Sequence, residues 1–193
     1  MPIEIAAIAG RLTGDGDWSE SGRFQSLMRL PDDVPVTTFD QAQTGLTARA
    51  LAGQPPAGDV MAALNARLTR PPYRLVARWA HTEAAVIAGQ SQHCPALAAT
   101  SLLCTVKLSR LAFPELTSHR LDCVLRLLGI EIPPGRHRAM PDAELTVQVF
   151  RRALAGGHER RLWTSLRDLD AAGVAPRHAA AMTDHHAVQD TLF

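Results

Sequence analysis

Apolar positions along this chain recur with a period of about two in some stretches and between three and four in others, and the changes of period divide it into elements. Ile3, Ile5 and Ile8 fall in a short apolar run, a polar, glycine-rich turn follows through Asp17, and Phe24, Leu27, Met28 and Leu30 stand in a second run from Arg23. This arrangement predicts a two-stranded hairpin. Thr47 to Ala52 and Asp59 to Leu68 read as amphipathic helices, the second with Val60, Leu64 and Leu68 on one stripe. Pro71 and Pro72 then break the chain, Arg74 to Trp79 alternates as a strand does, Thr82 to Gln92 reads as a helix, and Leu102 to Val106 as a buried strand. Strand alternating with helix indicates an α/β layer fold.

The second half is more helical. Ser118 is a candidate N-cap for a helix whose stripe is Leu121, Val124, Leu125 and Leu128, and Gly129 stands where that helix should end. Pro141, a favoured first helical residue, opens a helix carrying Ala143, Val147, Phe150 and Leu154 on one face, and a further helix is expected from about Glu159 to Ala171. The remaining residues are small and polar. The predicted organisation is a domain over residues 1–155, a helical extension over 156–182 and a flexible tail over 183–193.

Composition narrows the picture. A chain of 193 residues, 46% of them apolar, can bury one good core. No apolar run approaches the roughly 20 residues a membrane helix needs, and the N-terminus has no secretory pattern, so a cytoplasmic location is expected. Cys94, Cys104 and Cys123 are widely spaced and lack a paired-cysteine zinc motif, which makes them reduced core residues. A formal charge of +1 excludes broad electrostatic attraction to DNA but leaves room for a local basic rim. Trp18, Trp79 and Trp163 are scattered, as core residues would be, and Arg160, Arg161 and Arg167 read as a solvated face.

The segment with most chemistry is Gly135-Arg136-His137-Arg138-Ala139-Met140-Pro141-Asp142-Ala143. With Pro141 beginning the helix, His137 lies in the loop before it, and Asp142 lies in the first turn, where the helix dipole favours a carboxylate. A base beside a fixed carboxylate is one reading of this pair. A loop histidine beside a capping aspartate is the other.

The surrounding residues favour the first. Leu102 to Leu108, Phe113-Pro114-Glu115-Leu116-Thr117-Ser118-His119-Arg120-Leu121-Asp122, Leu127-Leu128-Gly129-Ile130, then His137-Arg138-Ala139 and Asp142 resemble in order the third-motif region of the DEDDh (DnaQ-like) 3′–5′ exonucleases. That family includes the proofreading subunit of bacterial DNA polymerase III and RNase T. Val76-Ala77-Arg78-Trp79-Ala80-His81-Thr82-Glu83 is similar to its second motif, usually Val-Ala-His-Asn-Ala-x-Phe-Asp, while Ile3-Glu4-Ile5-Ala6-Ala7 and Phe24-Gln25-Ser26-Leu27 resemble its second and third strands. Thr44-Gly45-Leu46-Thr47 resembles the start of its next helix, so that the resemblance spans roughly residues 3 to 155.

The resemblance implies a ribonuclease H-like exonuclease fold, a mixed sheet flanked by helices. It also implies two divalent ions about 3.5–4 Å apart, Mg²⁺ or Mn²⁺, held by four carboxylates, and a histidine acting as general base. Carried over by position, His137 is that base and Asp142 and Glu83 are metal ligands; the implied partner is a single-stranded DNA or RNA 3′ end. Glu83 stands where the family has Asp, and Arg78 and Cys104 where it commonly has His and Asp. The family's first motif, Asp-x-Glu-Thr-Thr-Gly, sits on a central strand before the segment matched by Ile3 to Ala7, and this sequence is expected to lack it. Phe39-Asp40-Gln41-Ala42-Gln43-Thr44-Gly45 echoes that motif with Ala42 in the Glu position, at a place that matches a linker.

The last residues, Gln189-Asp190-Thr191-Leu192-Phe193, resemble the short motif with which bacterial replication and repair proteins dock on the sliding clamp, Leu192 and Phe193 entering an apolar pocket and Gln189 fixing the register. Two functions therefore stand: a two-metal 3′–5′ exonuclease of replication or repair, or an impaired exonuclease-like module that binds single strands or the clamp.

Overall fold

The computed structural model describes residues 2–13, 18–69, 72–133 and 137–175. The hairpin is present as β1 (Glu4–Leu12) and β2 (Trp18–Leu27), paired antiparallel from Glu4↔Leu27 to Leu12↔Trp18 with a bulge between Ala9 and Gly10. After it come α1 (Thr38–Thr44), α2 (Ala48–Ala52), α3 (Ala57–Asn65), β3 (Leu75–Ala77), α4 (Ala80–Gly89) and α5 (Pro95–Ala99). The remaining elements are β4 (Leu102–Cys104), α6 (Thr105–Ala112), α7 (Leu121–Leu127), α8 (Ala139–Glu159) and α9 (Leu166–Gly173).

The α/β class is as expected, with the strands in two small sheets among the described residues. β1 and β2 form one two-stranded sheet, β3 and β4 form a second, parallel one, and among the described residues no strand joins them. α8 packs against β1, β2 and β3 and so joins the two, as does an apolar cluster against which Ile5, Phe24 and Leu75 all pack. β1 shows the consequence: although Ile5, Ala6, Ala7 and Ile8 are all apolar, none is fully buried.

Several boundaries differ from the periodicity, each for a local reason. The Phe39 to Gly45 echo is a helix: Thr37 caps α1, accepting from Asp40 N–H at 3.1 Å while the Asp40 carboxylate accepts from Thr37 N–H at 3.0 Å. Asp40 is thus occupied as a capping-box acid. Ser118 is not the cap of α7; Arg120 is the N-cap residue, and Ser118 Oγ only accepts a long 3.4 Å bond from its N–H. α7 does end at Gly129, whose φ of +63° lets Ile130 N–H reach back to Leu125 O at 2.9 Å. α8 begins at Ala139, two residues before Pro141, and runs on to Glu159, while the last helix begins only at Leu166 behind a Ser165–Asp168 capping box.

The larger core joins α6, α7, α8 and α9 through Leu108, Ala112, Leu121, Val124, Leu125, Leu145, Val149, Ala153 and Leu169, with Trp163 plugged against α8. A second cluster sets Met28, Val60, Met61, Cys94 and Leu97 under the hairpin. Trp163 fits the core expectation at 5% exposure, but Trp79 does not, at 40%. Arg160 meets Glu115 at a surface-exposed 3.9 Å, as a solvated face would. The three cysteines are free, with Cys94 and Cys104 buried and Cys123 half-buried. Among the described residues no helix is long and apolar enough to cross a membrane.

Gly157 marks the tightest helix contact. A Cβ placed there would lie 1.8 Å from Trp163 Cζ2, and Trp163 is fixed by its Nε1–H donating to Leu154 O at 3.1 Å. Alanine in place of a mid-helix glycine ordinarily stabilises by about 1 kcal/mol. Here Gly157→Ala is expected to destabilise by about 1–3 kcal/mol through overpacking. Urea unfolding checks this, and a neutral or stabilising result would show that Trp163 does not pack against α8.

Candidate active site at the start of α8

His137 directly precedes the N-cap of α8 and has φ +76°, a left-handed backbone that a side chain other than glycine rarely adopts. It is exposed. Arg138, the N-cap, makes no capping hydrogen bond to its own helix with its side chain. That task falls to Glu4 at the other end of the chain: Glu4 Oε2 accepts from Ala139 N–H at 2.9 Å and from Arg138 Nε–H at 2.9 Å, and Oε1 accepts from Arg138 Nη2–H at 3.0 Å and Gln25 Nε2–H at 2.9 Å. The Glu4 side chain is 5% exposed. Burial alone would raise its pKa, but the bonds from Arg138, Ala139 and Gln25 together hold it below the usual carboxylate value. The hydrogen bonds that Arg138 donates to Glu4 in turn raise the Arg138 pKa. With the folded value depressed, this contribution to stability is full above the ordinary glutamate range and is lost as pH falls below about 4.

Asp142 sits one turn in. Its N–H donates to Arg138 O at 3.2 Å, and its carbonyl accepts from Thr146 Oγ1–H at 2.7 Å. Its Oδ1 is buried and has no hydrogen-bond partner. Glu83 occupies the equivalent place on α4, in the first turn, where the dipole favours an acid. Its Oε2 is likewise buried without a partner. Burial pushes the Glu83 carboxyl above its ordinary value, with Arg78 pulling the other way. The turn leading into α4 is stitched to the end of β4: Arg78 O accepts from Val106 N–H at 3.3 Å, Thr105 Oγ1–H at 3.4 Å and Cys104 Sγ–H at 3.5 Å.

His137 and Asp142 therefore flank the start of one helix, while Glu83 comes from another. Two unpartnered carboxylate oxygens suit a hard divalent cation, which prefers oxygen donors. The set is incomplete, for among the described residues no group of three or more His, Cys, Asp or Glu is arranged to hold a metal ion. Sequence reasoning passed over the Glu4–Arg138 pair. Its signal was present: a lone acid inside the apolar run Ile3 to Ile8 must be answered by a cation if it is buried. Gln189, Leu192 and Phe193 lie outside the described residues.

A family model described as Exonuclease (RNase_T) matches residues 1–150, all the elements just described up to the middle of α8. The chain belongs to this exonuclease family. Comparison with the sequences of curated proteins returns no match. Among solved structures, the exonuclease fold is shared with Exonuclease X in complex with 5′ overhanging duplex DNA, at TM-score 0.61 and 20% identity over 89% of this chain and 90% of that one. It is shared also with the nuclease domain of 3′hExo, a DEDDh family member bound to rAMP, at TM-score 0.64 and 14% identity over 92% and 98%. A 3′-exonuclease solved recognising the 3′ end of a histone mRNA stem-loop matches at TM-score 0.61 and 15% identity over 81% and 83%.

In this exonuclease the unpartnered Glu83 oxygen is a cost to the metal-free protein, since a buried unsatisfied acceptor destabilises by about 1–3 kcal/mol. Glu83→Gln is expected to raise the thermal midpoint at neutral pH without metal and to weaken the further rise on adding Mn²⁺. Scanning calorimetry of both proteins checks this. A lowered metal-free midpoint with an intact Mn²⁺ response would remove Glu83 from the site.

Proposed function

We propose that the protein is a 3′–5′ exonuclease that hydrolyses phosphodiester bonds at DNA or RNA 3′ ends, in replication or repair, with His137 as general base and Asp142 and Glu83 as ligands of Mg²⁺ or Mn²⁺. The observation that carries the reading is the start of α8, where His137 in a left-handed backbone precedes the helix and Asp142, whose buried Oδ1 has no partner, lies in its first turn, inside the family match. A divalent ion bound there would supply Lewis-acid polarisation and charge neutralisation at the scissile phosphate. His137 removes the proton of the attacking water, a task suited to imidazole because its ordinary titration range spans neutral pH. Its exposure leaves it open to substrate, and the Glu4–Arg138 contact ties its neighbour to β1.

The proposed division is a nuclease domain over residues 1–155, a helical extension over 156–182 and a tail over 183–193 that docks on the sliding clamp through Gln189, Leu192 and Phe193. Two carboxylates fall short of a two-metal set, so the further ligands are proposed to arrive on a strand beside β1, where the hairpin and the β3–β4 pair stand apart. The absence of a three-ligand cluster among the described residues supports a second reading, an impaired module that binds single strands or the clamp without cleaving.

Degradation of a single strand labelled so that 3′ shortening is visible, with Mn²⁺ and the 193-residue chain, separates the two. The exonuclease reading expects a ladder shortening from the 3′ end that falls at least about 100-fold in His137→Ala, the lower end of the range for loss of a general base. No cleavage by folded protein would favour the binding module.

A further inference from the structure

Glu4 lies 135 residues from Ala139, yet it provides the acceptor that the first N–H of α8 needs. The first N–H groups of a helix have no partner within it, and a side chain at the N-cap usually supplies one. The Arg138 side chain cannot accept a hydrogen bond, because its guanidinium has only donors. A buried acid from β1 substitutes, and its two oxygens receive the arginine fork, the helix N–H and the Gln25 amide together. Forked arginine–carboxylate contacts fix orientation as well as position.

Arg138 is the residue between His137 and the helix, so its backbone sets where His137 leaves α8. The same residue's carbonyl accepts the Asp142 N–H at 3.2 Å, so it also sets the first turn on which Asp142 sits. A second strut lies beside it, where Arg23 of β2 meets Glu144 of α8. That pair is exposed on both sides, at 45% and 43%, and exposed pairs hold little. Glu4 at 5% exposure, against 34% for Arg138, is much less screened by solvent.

We infer that Glu4 is a positioning residue of this exonuclease, acting through Arg138 and the Ala139 N–H to hold His137 and Asp142 in one fixed relation at the start of α8. The inference rests on the reading of His137 and Asp142 given under the proposed function. It implies that β1 does more than fill the hairpin: its first residue locks the reacting end of a helix distant in sequence. Loss of the lock should impair turnover while leaving the grip on the strand intact, because substrate contacts elsewhere are untouched.

Glu4→Gln keeps the size of the side chain and removes the charge. Two readouts are needed. Hydrogen exchange, which requires no activity, is expected to show the Ala139 and Asp142 amides exchanging at least tenfold faster, with the Val149 to Ala153 amides of the same helix unchanged. Steady-state cleavage of a labelled single strand is expected to show kcat reduced at least tenfold with KM unchanged. Unchanged exchange at Ala139 and Asp142 would overturn the inference, as would unchanged kcat in a variant whose exchange had risen. Equal acceleration along the whole of α8 would also overturn it, because that is plain destabilisation. If wild-type protein cleaves nothing, the exonuclease reading fails, and the exchange rates alone decide whether Glu4 orders the start of α8. Should Glu4→Gln not fold, Arg138→Lys keeps the cation, loses the fork, and carries the same readouts.

Discussion

A carboxylate taken almost wholly out of water must be met by donors, and the donors that meet Glu4 come from the first residues of α8. Much follows from that one requirement. The hairpin cannot slide along α8 without stranding a buried charge, so β1 is held in register against the helix. α8, packing also on β3 and on α6, then relates the hairpin to the parallel pair and to the main core. The chain on either side of Arg138 inherits the constraint. His137 is held in a left-handed conformation that it would not choose alone, and Asp142 is placed one turn inside.

The arrangement accounts for how an exonuclease fold tolerates a sheet in two parts. In a continuous sheet, backbone hydrogen bonds between neighbouring strands carry the alignment. Among the described residues the ladders are separate, and the alignment passes instead through a helix, shared apolar packing and the ion pair of a buried Glu4 with a partly exposed Arg138. Breaking one partner of such a pair leaves an uncompensated buried charge, which makes it a strong specifier of geometry whatever its net contribution to stability. The chemistry proposed for the site depends on that geometry more than on any single side chain.

Much of this was legible in the sequence. The hairpin, β3, α4 and the stripe of α7 follow from apolar spacing, and Gly129 ends α7 because a left-handed residue is needed there. The start of α6 was not legible: the short, mostly apolar run Leu102 to Val106 read as a buried strand, which periodicity cannot tell from a buried helix, and the chain changes from one to the other at Thr105. Asp40 imitated a motif acid until its capping contact with Thr37 was seen. The site was half legible. His137 and Asp142 can be picked out by their place before and within a helix, but the tie to Glu4 spans the chain and no local spacing encodes it. Trp79, exposed rather than packed, shows that aromatic content alone does not predict burial.

Asp142 at the start of α8 and Glu83 at the start of α4 are proposed to hold a divalent ion near His137. Paramagnetic line broadening in the amide spectrum of the isotope-labelled protein, with Mn²⁺ added far below one equivalent, tests it most directly. The first signals expected to broaden are those around Asp142 and Glu83, with His137 among them. Broadening that begins instead at surface acids such as Asp32 and Asp33, or that never singles out the start of α8, would contradict it.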